Sequence, residues 1–225
     1  MTSASFRPLS PVLRSVSRCF GLGLGILGLV AFAASCSSTK GAASSTVDAE
    51  AEVAWLEASP SLARSIELRS VEVSQMSNVD DFVRLSDWFQ STGEPTYPKL
   101  LEMAGSSDDS QRTFALSVIA ARRDPRLLSP LRNRVPMSSL ANQQHRYGMA
   151  RALLMMGDRQ GVPVLIDGLE SASRRDRALC IAALNAGTNA GIAYNSAASA
   201  EERQVAVAAW RQWYADISDD VLLAR

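Results

Sequence analysis

Between residues 59 and 215 apolar side chains recur three and four positions apart, the spacing that gathers them on one face of a helix. Met149, Ala152, Leu153 and Met156 form one such stripe. Almost no segment alternates with period two, so negligible β-structure is expected. The pattern also repeats. The series Arg112, Ala115, Val118, Ile119, Asp124, Leu131 returns 34 residues later as Arg146, Met149, Ala152, Leu153, Asp158, Leu165, and a partial third copy runs Arg177, Cys180, Ala183, Leu184, Asn189. Each copy predicts a helix, a tight turn opened by an acidic cap, and a second helix.

Capping chemistry marks the ends of these helices independently of hydrophobicity. Asp124 before Pro125 offers a side-chain oxygen to free backbone amides and a proline where a helix begins, and Asp158 repeats the cap. Asp108 with Gln111, and Ser199 with Glu202, have capping-box spacing. Gly93 and Gly105 stand where C-terminal caps belong. Residues 79–104 read as an earlier, degenerate helix pair, and Ser59-Pro60 starts a helix running to about Met76. After Gly187 the expected second helix gives way to a loop, TNAGIAYNSAAS, followed by one helix from Ala200 to about Ala215. There Ala206, Trp210, Trp213 and Tyr214 share a face suited to closing the end of a stack, while Glu201, Glu202, Arg203 and Arg211 are expected in water. A sugar-stacking platform is the alternative use of the two tryptophans.

The first 35 residues follow another rule: Arg7, Arg14 and Arg18 supply positive charge, no acidic residue occurs, and Cys19 to Ala34 is wholly apolar or glycine. That run is shorter than the roughly 18 to 20 residues of a membrane-spanning helix and has the character of an export signal. Ala33, Ala34, Ser35 and Cys36 then resemble the bacterial lipobox, although Ala33 stands where leucine is usual. The resemblance implies that Cys36 becomes the first mature residue and that its thiol carries a diacylglycerol group. An ordinary cleaved signal or a retained anchor helix are the alternatives. Residues 36–58 are assigned to a tether, whose segment SSTKGAASSTV (37–47) contains little that can be buried. A flexible chain of that length reaches roughly 20 Å.

The segment RYGMARALLMMGDRQGVPVLIDGLE (Arg146 to Glu170) resembles a HEAT-type repeat: an arginine opening the first helix, an alanine-leucine pair, the Gly157-Asp158 turn, and Pro163 before a Leu-Ile run. The resemblance covers residues 79 to 190, about half of the chain. It implies an all-α fold, a short α-solenoid of HEAT-like helical hairpins over 59–215 with a closing helix at 200–215 and a tail at 216–225. It further implies a concave surface of second helices that binds other proteins, on which Lys99, Glu102, Arg126, Arg132, Asp167 and Glu170 are the polar candidates. A subset of such repeats, associated with phycobilin lyases, has a role in chromophore attachment.

Charge narrows the choice of partner. The chain has 23 basic and 23 acidic residues, and loss of the three signal arginines leaves the remainder mildly acidic. No basic stripe of the kind nucleic acid needs is present. Of three cysteines, Cys19 would leave with the signal and Cys36 would be acylated, so Cys180 stands alone as a buried hydrophobe and no internal disulfide is expected. His145, the single histidine, cannot build a histidine-rich metal site and is assigned a solvated or capping place at a helix start. The glycines at 23, 25 and 28 fit a dinucleotide-binding spacing but lie inside the apolar run, and Ser37 to Lys40 fits S-x-x-K without companion motifs. Asp80-Asp81 and Asp108-Asp109 sit at helix starts, where negative charge suits the dipole, and Arg122-Arg123 and Arg174-Arg175 read as solvated turn residues. The expectation is therefore a non-enzymatic module with no cofactor, metal or small-molecule substrate. It would be exported, lipid-anchored to a bacterial membrane on the periplasmic or cell-envelope face, and would bind a protein partner. A structural subunit of an envelope assembly and a lyase-like accessory enzyme are the alternatives.

Overall fold

The computed structural model describes residues 54–217, so the signal assignment, Cys36 and most of the tether and tail lie outside the described residues. Among the described residues every regular element is helical. In chain order they are α1 (Pro60–Ser74), α2 (Val79–Thr92), α3 (Tyr97–Ala104), α4 (Asp109–Arg122), α5 (Leu128–Arg134), α6 (Gln143–Met155), α7 (Gly161–Gly168), α8 (Arg174–Gly187) and α9 (Ala200–Asp216). Single 3-10 turns precede α3, α5 and α6.

Side-chain caps explain most starts. Ser59 accepts from the Leu62 amide, Asn78 from Asp81, Asp108 from Ser110 and Gln111, Asn142 from Gln144, and Ser173 from Asp176. The capping box at α9 is complete, since Ser199 accepts from the Glu202 amide and the Glu202 carboxylate accepts from the Ser199 amide. At α4 only half of the expected box forms, because the Gln111 amide group donates to Ser74 Oγ at 2.9 Å and thereby ties α4 to α1. Gly157, at φ +92°, ends α6 in a Schellman arrangement, with the Asp158 amide bonded to the Leu153 carbonyl and the Gly157 amide to that of Leu154. One repeat earlier the same place is held by Arg123, a non-glycine residue at φ +51°.

The repeated arginine has a definite task. Arg112 donates to the Ser106 carbonyl and Arg177 to the Ser171 carbonyl, in each case six residues back, so each pins the chain entering its own helix. Arg177 also holds the carbonyls of Ala172 and Ser196. Arg146 departs from the rule and reaches only Gln143, three residues before it.

Helix α4 packs on α6 and α6 on α8; α3 lies against α4 and α5, and α7 against α6, α8 and α9. Two apolar clusters result, and α6 is their common wall. Met149, Ala152, Leu153 and Met156 face the first, with Phe89, Leu100, Phe114 and Ile119. Tyr147, Ala150 and Leu154 face the second, with Leu165, Cys180, Leu184 and Trp210. Glycine permits the closest approaches: a Cβ on Gly161 would collide with the Ala150 carbonyl, and one on Gly168 with Cys180 Sγ and Tyr147. Trp210 is fully buried and meets Trp213 edge-to-face at 5.5 Å, so both rings belong to the packing of α9 on α7. Arg211, on the exposed side, is nonetheless anchored to Asp167 and Glu170, and Arg203 is half-buried with a bond to the Ala198 carbonyl. Residues 54–58, given to the tether on sequence, also pack: Trp55 meets Tyr97 edge-to-face at 5.1 Å and the Leu56 amide donates to Glu94.

Candidate functional site

The six polar residues expected on the second helices stand in or beside α3, α5 and α7, and each has a charged partner inside the chain. Lys99 on α3 lies 2.8 Å from both Glu67 and Glu102. Burial opposes its charge, yet the two carboxylates together hold the ammonium above the usual lysine range. Arg126 pairs with Asp124 at 2.7 Å and with Glu94 at 3.0 Å, and its guanidinium stacks 5.5 Å from the Trp55 ring. The same pairing draws the Asp124 and Glu94 carboxyls below the ordinary range. Arg132 reaches from α5 to the nearly buried Asp158, and Arg211 reaches from α9 to Glu170 and, at 3.4 Å, to Asp167.

Four of these links run between elements far apart in sequence, Lys99–Glu67, Arg126–Glu94, Arg132–Asp158 and Arg211–Glu170. Most are open to water, where such a pair contributes about 0 to 1 kcal/mol, so their effect is to fix register more than to add stability. Arg122 extends the same network. It was expected in solvent, but it is half-buried, donating to the Gln90 carbonyl at 2.7 Å and to Tyr97 Oη, which in turn donates to Asp124. The turn between α2 and α3 is thereby clamped to the turn between α4 and α5.

Helices α4, α6 and α8 hold what sequence reasoning missed. His145 is not solvated but 4% exposed, between Arg112 and Asp109. Arginine can only donate, so His145 Nδ1 accepts from Arg112 at 3.2 Å and the proton sits on Nε2, 3.5 Å from Asp109. Burial pulls its pKa below the ordinary value and the Arg112 charge adds to this, against the opposing pull of Asp109. Its place was legible only in hindsight: an i, i+3 and i, i+4 reading of α6 puts it in line with the buried Met149 and Ala152. Cys180 is fully buried, as expected, and burial pushes its thiol up to about 12. Neither group is poised for nucleophilic work at neutral pH.

At His145 a cleft of about 70 Å³ opens among α4, α6 and α8, lined also by Leu116, Tyr147, Leu179, Arg151 and Asp176. It is far below the roughly 300 to 1,000 Å³ of a site for a coenzyme or drug-sized molecule. An open groove of about 720 Å³ also runs between residues 54–58 and helices α1 and α3, bordered by Glu67, Lys99 and Glu102.

No family pattern, curated protein or solved structure matches this chain.

Among the described residues no helix is long and apolar enough to cross a membrane, and no three His, Cys, Asp or Glu side chains stand together as a metal would need. What these residues offer chemically is charge and shape: the ion pairs of Lys99, Arg126, Arg132 and Arg211, and a narrow cleft among α4, α6 and α8 with an arginine in its lining.

Proposed function

We propose that the protein is a bacterial lipoprotein, acylated at Cys36, whose hairpins form a short HEAT-like α-solenoid that binds a protein partner at the cell envelope. The observation that carries the reading is the 34-residue recurrence of one helix–turn–helix pattern. Its supports are the turns at Asp124 and Asp158, 34 residues apart, where each carboxylate accepts from the amide two residues on, and the like-built arginine pins at Arg112 and Arg177. Stacks of such hairpins contact mainly their neighbours and leave long surfaces for other macromolecules. Lys99, Glu102, Arg126, Arg132, Asp167 and Glu170 would meet a partner only by exchanging an internal ion pair for an external one. Binding there would be strongly salt-dependent and modest in net energy.

The anchor is tested first. In the native host, Cys36→Ala should abolish incorporation of labelled fatty acid and move the protein out of the membrane fraction, because acyl chains contribute about 0.8 kcal/mol per buried methylene. Unchanged acylation would remove Cys36 as the anchor. Crosslinking of the anchored protein in its own membranes then separates two uses of the stack: a partner retained in fixed stoichiometry marks a structural subunit, and sub-stoichiometric, salt-labile capture marks an adaptor.

A further inference from the structure

Arg151 stands outside the pairing described above and, unlike the exposed Arg64, Arg134, Arg174 and Arg175, it is half-buried. It sits on α6, one turn after Tyr147 and Gly148, and lines the cleft among α4, α6 and α8. Among the described residues it makes no hydrogen bond and no ion pair. Burial alone acts on its charge, drawing its pKa below the usual arginine range. An arginine so placed loses hydration and gains nothing in exchange, which is unfavourable for folding. Such a cost is a common mark of a group kept for a ligand.

The surroundings define that ligand. Leu116, Tyr147 and Leu179 give low-dielectric walls, in which an ionic hydrogen bond is stronger than in water. Arg175 lines the rim, is exposed, and adds a second positive charge. Asp176 is the acidic residue of the lining; its oxygens face Gln144 at 3.5 Å and Ser171 at 3.4 Å. His145, held neutral at pH 7 by burial, adds no charge. The cleft is thus net positive, with one guanidinium face unsatisfied and room for about one carboxylate.

We propose that this cleft is a carboxylate-binding site, in which Arg151 receives an acidic side chain or chain end of a peptide partner. The bidentate fit of guanidinium to carboxylate supplies the specificity, and the apolar walls accept the neighbouring methylenes. The site rests on the protein-binding reading only for the source of the carboxylate; acylation of Cys36 is scored separately and stands or falls by itself.

The test uses the full-length protein in detergent, with the Arg151 side-chain Nε–H resonance as readout. Acetyl-Ala-Glu-Ala-amide should shift that resonance saturably, and the same peptide with glutamine should not. Acetate should bind at least tenfold more weakly than the glutamate peptide. Arg151→Met keeps the apolar stem; it should raise the melting temperature by a few degrees while removing peptide-induced thermal stabilisation. No saturable shift with the glutamate peptide, equal response to the glutamine peptide, or a lower melting temperature for Arg151→Met would each overturn the assignment. Acetate binding as tightly as the peptide would overturn the peptide as source.

Discussion

At the scale of single residues, most charged side chains are occupied within the fold, and the consequences are measurable through pH. His145 has a folded pKa below its ordinary 6.5 because it is buried and faces Arg112. The unfolded chain therefore takes up this proton first as pH falls, and stability must decline below about pH 6.5 until the folded form is protonated as well. Glu94 and Asp124 have depressed pKa values, so their contribution is present above the ordinary carboxyl range and is lost only as pH falls through it. The two windows separate. Because the chain has a single histidine, urea titrations at pH 7.5, 6.0 and 5.0 should show a loss that His145→Gln abolishes. A slope unchanged in the variant would mean that His145 is not the titrating group.

At the scale of elements, α6 shows how a helix between two cores is read. It carries apolar groups on two faces, so no single stripe dominates: Met149 and Leu153 point to one cluster, Ala150 and Leu154 to the other. Its contact with α7 depends on Gly161, where an added methyl would strike the Ala150 backbone carbonyl, a neighbour that cannot rotate away. Overpacking of this kind costs about 1 to 3 kcal/mol. Gly161→Ala should lower the unfolding free energy by that amount, read from urea titration. Gly148→Ala in α6, where the added Cβ would stand an ordinary 3.4 Å from the Leu116 side chain of α4, should be neutral or slightly stabilising because alanine favours helix over glycine. Equal effects of the two changes would contradict the close approach at α6 and α7.

At the scale of the whole molecule, α9 covers the second cluster, and Trp210 is its largest fully buried side chain. Aromatic-to-alanine changes in cores cost about 3 to 5 kcal/mol, a sizeable part of a domain's roughly 5 to 15 kcal/mol. Trp210→Ala should lower the melting temperature strongly and open Cys180, otherwise buried with its thiol raised, to a thiol reagent. Arg211→Ala removes exposed ion pairs to Asp167 and Glu170 and should cost less than about 1 kcal/mol, with Cys180 still protected. Intact melting in Trp210→Ala with loss of sugar or partner capture would instead make the ring a binding platform.

Local chemistry determined which segments are helices and where they begin, because amide capping and apolar periodicity act within one or two turns of the chain. Ser59, Asp108 and Ser199 are examples, as is the α9 face that buries Trp210, whereas Asp124 and Asp158 close the turns ahead of α5 and α7 without capping those helices. Residues separated by one repeat met in space only after folding, and no local rule reports them. Glu94, Asp158 and Glu67, the long-range partners of Arg126, Arg132 and Lys99, lie 26 or more residues away, so these links were hidden until packing formed them. The same packing buried His145, seated Trp55 on Tyr97, and left Arg151 beside a cleft without an ion pair of its own. Burial and long-range electrostatics depend on the meeting of helices, and that is why tertiary structure alone decided them.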